Sequence, residues 1–176
     1  MRQDSEGHSW KSFWGNVKNW IVKKKEKAAN KNNITTTIGI TGSAAFGGGV
    51  SASLGVTQDT KGNLGFALTT NGGGGFPNVG GGAFVSVNNT PTIYEQSGLG
   101  TVVGASGGPW VVAIGGEYNM LINQEKDRVY HGATISATAG LYPTVVEVHG
   151  EVGYTWVRGV NMYDIAIKIA DFMGGN

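Results

Sequence analysis

The sequence has no cysteine, only four prolines and no run of about 18 apolar residues. The missing cysteine excludes a disulfide framework and a Cys-ligated zinc site. Scarce proline without a repeating Gly-X-Y period excludes collagen. The lack of a long apolar run excludes a transmembrane helix. Charge is short as well, 14% of residues against about 25% in an average domain. Between Asn32 and Gly116 only Asp59, Lys61 and Glu95 are charged. The start, MRQDSEGHSW, is polar and no apolar stretch follows it, so no signal peptide is read here. The chain is expected to be secreted by another route, or delivered as part of a larger protein, with a membrane-associated end state.

Glycine is abundant: 31 of 176 residues, more than twice the usual share of about 7%. Residues 1–31 hold eight basic and three acidic groups, net +5, and the remainder is net −4. Within the basic segment Trp10, Phe13, Trp14, Val17, Trp20 and Ile21 recur at helical spacing. With Lys23, Lys24 and Lys25 they describe an interfacial helix, rings in the lipid boundary and ammonium groups near anionic headgroups. Packed on the rest of the chain, the same stripe would be an ordinary amphipathic helix. Residues 1–33 are therefore read as a basic amphipathic helix and linker, and 34–176 as a Gly-rich β domain. The lysine run is short and the body supplies no basic groove, so nucleic acid is not an expected partner.

From Ile34 the period changes from 3.6 to 2. Alternating segments fall at 34–46, 48–57, 63–70, 82–88, 99–106, 109–122, 129–140 and 144–158. Asp59, Gly62 and Asn63 supply a hairpin turn. The stretch NGGGGFPNVGGG reads as a loop or heavily bulged passage. A hairpin over 129–158, turning at Leu141 and Tyr142, would set Ile135 against Val148 and Ser136 against Glu147, like facing like. The fold class that follows is mainly β: an antiparallel up-and-down barrel, or strongly curled sheet, of about eight strands. Helical spacing returns over 161–173, with Asn161 as cap, and this helix is expected to cover one opening.

Function turns on which face points inward. One strand face is Val, Ile, Leu and Phe; the other is almost entirely Thr, Ser and Gly, without the lysines and glutamates that solvated strands carry. That polar face suits a pore lining, and strands near ten residues suit a bilayer. The reverse arrangement would be a soluble barrel with a Val/Leu/Phe-lined cavity for an apolar ligand or a protein partner. A third reading is enzymatic: Glu147, His149 and Glu151 alternate onto one face of one strand, with Glu117 a candidate to join them from another, a set able to bind a metal or exchange protons. The bland account of that set is the outward polar face of a strand. His131 falls on the apolar side as a structural histidine. No glycine fingerprint, GxSxG or Cys nucleophile is present, so no residue set requires an enzyme, and neither metal nor cofactor is expected.

The runs ITGSAAFGGGVSASLGV, DTKGNLGF, IYEQSGLGTVVGASGG and VEVHGEVGYTWVRGVNMYDI resemble a family of Gly-rich C-terminal domains of bacterial polymorphic secreted proteins, especially those with RHS repeats. The resemblance spans about Ile38 to Phe172. It implies a delivered effector, often a toxin, with a larger carrier upstream and a cognate immunity protein as partner. It brings no catalytic residues.

Overall fold

In the computed structural model, residues 5–108, 111–141 and 146–174 are described. Helix α1 (Ser5–Ala29) is followed by six strands, β1 (Thr35–Asp59), β2 (Asn63–Asn88), β3 (Gly98–Gly107), β4 (Val112–Asn123), β5 (Arg128–Leu141) and β6 (Val146–Asn161). A short 3-10 turn, Ile93–Gln96, lies between β2 and β3, and helix α2 (Met162–Gly174) comes last.

β1 and β2 form one long antiparallel ribbon, in register from Thr35 opposite Asn88 to Gln58 opposite Leu64, with an irregularity between Ala45 and Gly47. The ribbon is folded in half at this point. The first half of β1 comes to lie beside its second half, and the Thr37 hydroxyl meets that of Thr57 at 2.9 Å. At Gly39 and Gly55 the inner face where the halves meet leaves no room for a side chain. A Cβ on Gly39 would run into the Leu54 carbonyl, and one on Gly55 would come within 2.7 Å of the Thr37 methyl. Glycine is the residue that permits such approach of two backbones.

The folded ribbon contributes four staves and β3–β6 contribute the others. The first half of β2 pairs with β6 (Asn63 opposite Asn161) and its second half with β5 (Asn88 opposite Gly132). With β3–β4, β4–β5 and β3–β6 also paired, the result is a closed eight-stranded antiparallel barrel. Closure satisfies both edges of every stave and removes the exposed edges of an open sheet.

The glycine-rich passage 71–82, read as a loop or a heavily bulged passage, is strand in the middle of β2 and carries a bulge, since Gly75 stands opposite Gly47 but Asn78 opposite Ala45. One sequence reading is corrected here. The predicted β5–β6 hairpin is not formed: β5 pairs with β4 and β2, and β6 with β3 and β2. The matching of Ile135 with Val148 tested only the parity of the register. Every neighbouring pair in this barrel passes that test, as Leu54 opposite Leu68 and Val85 opposite Ile135 do. Of the two residues read as that turn, Leu141 is the last residue of β5 and Tyr142 lies outside the described residues.

The two ends of the barrel differ. At one end, the helix end, residues 89–97 cross the opening from β2 to β3, and both helices leave from there. Ile93 is fully buried in this strap (0% exposed). Its backbone N–H donates to Asp59 at 2.9 Å, and the Gln96 side chain accepts from the Thr57 hydroxyl at 3.1 Å. The expectation that α2 covers an opening is thus replaced by this strap. α2 instead packs along α1, burying Ile21, Ala28 and Ala170, with Lys18–Asp171 at 2.6 Å and Lys25–Asp164 at 2.5 Å. At the other end, the far end, lie the fold of the ribbon and the connections β3–β4 and β5–β6.

Candidate functional site

Alternation along the strands sorts the side chains onto two surfaces, and the apolar one is outside. Ile38, Ile40, Leu54, Phe66, Val85, Val103, Ile114, Ile135, Val148 and Val152 are all exposed around the barrel. Monomeric proteins in water rarely expose apolar patches beyond a few hundred Å2; this one runs round the whole barrel. The barrel interior holds no large apolar core. Ala67 and Ala113 are buried within it beside Thr35, Thr37, Thr57, Ser86, Asn119, Thr134, Ser136, Glu147 and Thr155. The interior is lined mostly by Thr, Ser, Asn and Gly, with Phe84, Val102 and Leu121 as large apolar members of the lining. Phe66, Tyr118, Tyr154 and Trp156 sit on the outer face, each in the half of its stave nearer the helix end. His131 is also on this outer face, where its Nδ1 is 2.6 Å from the Tyr118 hydroxyl.

Inside, one cavity of about 180 Å3 extends from Thr37, Asn88 and Gln96 at the helix end to Asn78, Ser106 and Glu147 at the far end. Its polar groups bond to one another across the lumen. Glu147 on β6 is 6% exposed and accepts twice from the Asn78 amide on the second half of β2, at 2.8 Å each. These staves are not neighbours, so the pair bridges the interior. Asn78 in turn accepts from Ser43 at 3.1 Å. Glu151 accepts from the Ser51 hydroxyl at 2.8 Å, and Ser51 accepts from the Asn71 amide at 3.1 Å.

Glu117 and His149 face each other across β3, with 3.6 Å between Glu117 Oε1 and His149 Nε2. Both stand opposite Gly104 in the register. A Cβ there would come within 2.6 Å of the Glu117 side chain and 2.7 Å of His149 Nε2, so the glycine opens the gap through which the two side chains meet.

The structure thus brings Glu147, His149, Glu151 and Glu117 to one lumen wall, as the alternation requires. It does not converge them on one point. Glu147 and Glu151 are each engaged by separate amide and hydroxyl partners, and among the described residues no group of three His, Cys, Asp or Glu could hold a metal ion. Sequence reasoning missed Asn78 and Asn71. Asn78 lies in the passage read as loop, and Asn71 at its start. Neither has a signal of its own, because the partners they meet are on distant staves.

The residues read as membrane contacts divide. Trp10, Phe13 and Trp20 are exposed, Trp20 at 61%. Trp14 is half-buried, with its ring edge against Phe13 and Trp10. Lys24 stands 5.5 Å over the Trp20 ring, Lys25 is paired with Asp164, and Lys23 is exposed. No helix among the described residues is long and apolar enough to cross a membrane, a statement that concerns helices alone.

No family model and no curated protein matches the chain. Among solved structures, the red fluorescent protein lanRFPdam, in a crystal exposed to prolonged X-ray irradiation, aligns over 77% of this chain and 65% of its own length. Identity in that alignment is 9% and the TM-score is 0.26, a likeness that carries no argument about fold or activity.

Proposed function

We propose that the barrel is a membrane-spanning β-barrel and that the chain is a delivered effector acting by permeabilising a target membrane to small ions. The observation that carries this reading is the inversion of the barrel: apolar side chains outside, hydrogen-bonded polar side chains inside. Lipid takes the place of a core, and closure leaves no backbone group unpaired in hydrocarbon. Staves of 10 to 16 residues in β3–β6 suffice for a tilted crossing, which takes about 9–11. The aromatic side chains in the half toward the helix end correspond to an interfacial girdle, and the exposed Trp10, Phe13 and Trp20 with the nearby lysines to a contact with anionic headgroups.

Eight strands enclose only enough room for side chains and water, so the permeant is a small ion rather than a metabolite. The toxin role and the immunity partner rest on the resemblance to polymorphic secreted proteins. The test is ion flux in anionic vesicles loaded with a potassium gradient and read by a potential-sensitive dye. Dissipation of the gradient on adding the protein is expected. An intact gradient with the protein bound to the vesicles would remove the permeabilising function.

A further inference from the structure

The two ends of the barrel are chemically unlike, and the difference points to a direction of insertion. At the helix end lie Asp59 at the end of β1, Lys61 in the β1–β2 turn, Glu95 in the strap, Glu125, Lys126 and Asp127 between β4 and β5, and Arg128 at the start of β5. The basic helix α1 and the charged helix α2 leave from the same end. Arg158, on the outer face, is three residues from the helix end of β6. The stretches of sequence that join the staves at the far end, 46–49, 72–77, 107–111 and 141–145, contain no charged residue. Each carries one aromatic residue: Phe46, Phe76, Trp110 and Tyr142. Three of the chain's four prolines, Pro77, Pro109 and Pro143, are in these passages. The nearest charge, Glu147, points inward onto Asn78. Around this end the described side chains are apolar and exposed: Phe46 at 84%, with Val50, Val79, Val111, Val112, Leu141 and Val146.

A barrel that enters a bilayer from one side must carry one set of its connections through the hydrocarbon. The cost of that passage is dominated by charges, while Gly, Pro and aromatic residues pass cheaply. We infer that the barrel inserts far end first, that the exposed apolar side chains around that end, Phe46, Val111 and Leu141 among them, come to rest toward the distal leaflet, and that the helix end with α1 and α2 stays on the side from which the protein arrived. The occupant of this surface is the lipid bilayer itself, because the apolar tip is continuous with the apolar band around the staves. The inference rests on the membrane-spanning reading and adds to it a fixed orientation. The lysines of α1 then hold the protein on the near leaflet while the tip crosses.

The absence of cysteine makes the test direct. Two full-length single-cysteine variants, Phe46→Cys at the far end and Gln124→Cys at the helix end, are added to preformed vesicles of equal parts phosphatidylcholine and phosphatidylglycerol. Vesicles are floated and treated with a membrane-impermeant maleimide, before and after detergent. Full labelling of the Gln124→Cys variant, with at least tenfold slower labelling of the Phe46→Cys variant until detergent is added, is the expected result. The reverse pattern, or equal labelling of both on floated vesicles, overturns the orientation while leaving membrane binding intact. Protein that does not float with the vesicles overturns the membrane reading, and the orientation falls with it. As a second measure, Phe46→Lys combined with Val111→Lys is expected to slow ion flux at least tenfold without reducing flotation, whereas Gln124→Lys changes neither. Unchanged flux in the double variant counts against tip-first crossing.

Discussion

Arginine placed at two depths on the outer face separates a lipid-facing barrel from one that faces water. Ile135 is at the middle of β5, 67% exposed, opposite Gly116 and Val85 on its two neighbours. Val129 is on the same face of the same strand, one residue from its helix-end start. In water, Ile135→Arg removes a side chain that buries little, and surface substitutions of this kind usually fall within about 0.5 kcal/mol of neutral. In a bilayer the same change puts a guanidinium at the midplane of a β-barrel, at a cost of about 2–4 kcal/mol, while Val129→Arg near the interface costs about 0–1 kcal/mol. The midplane cost corresponds to a drop of about 30- to 900-fold in the ratio of folded to unfolded protein. Reversible urea unfolding of the vesicle-inserted protein, followed by intrinsic fluorescence, measures both variants. The expected outcome is a large fall in midpoint for Ile135→Arg and a small one for Val129→Arg. Equal midpoints, or a more stable Ile135→Arg protein, would refute the assignment of the outer face to lipid.

Other consequences are open to measurement. Replacing Lys23 and Lys24 together by Ala is expected to weaken binding to anionic vesicles about 30-fold at low ionic strength, since each lysine near such a surface contributes about 1 kcal/mol, and the difference should vanish in high salt. Asn78→Ala leaves the Glu147 carboxylate buried without its two amide hydrogen bonds, a loss of about 1–3 kcal/mol or more in the same urea assay, and Glu147→Gln in that background is expected to recover part of it. In the strap, burial pushes the Glu95 carboxyl up, but hydrogen bonds from Lys126 and Tyr130 outweigh it and hold the group below its ordinary value of 4.5. A depressed carboxylate stabilises the fold above the ordinary carboxylate range and loses that stabilisation as pH falls through its lowered value. Hydrogen exchange at residues 93–97 should accordingly stay slow at neutral pH and rise only in acid below the ordinary range, and in Glu95→Gln the acid-dependent rise should disappear.

Alternation made the strands legible, because a period of 2 with one apolar face holds whichever medium lies outside. It put Glu147, His149 and Glu151 together on one face of one strand, and found the helix of residues 161–173 within one residue. It did not say which face was inner, since periodicity carries no sign; closure of the ring decides that. It also failed wherever a long-range partner substitutes for local signal. The glycines of 72–74 form strand because β1 and β6 lie on either side of them. Asn78 and Glu147 find each other across the lumen, a pairing for which neither residue's neighbours give a hint. The β5–β6 hairpin was misread for the opposite reason: local compatibility was perfect and therefore uninformative.

The strap that closes the helix end joins two halves of equal rank. Residues 35–88 make four consecutive staves out of a single turn at Asp59–Gly62, and residues 98–161 make the other four. The halves meet along two seams, β2 with β5 and β2 with β6, and their covalent link is residues 89–97. A chain cut within the strap would therefore consist of two contiguous half-barrels, each with two open edges complementary to the other's. Such fragments are built to recombine by strand addition along both seams at once, so delivery as two pieces that become whole only where they meet is within the reach of this topology.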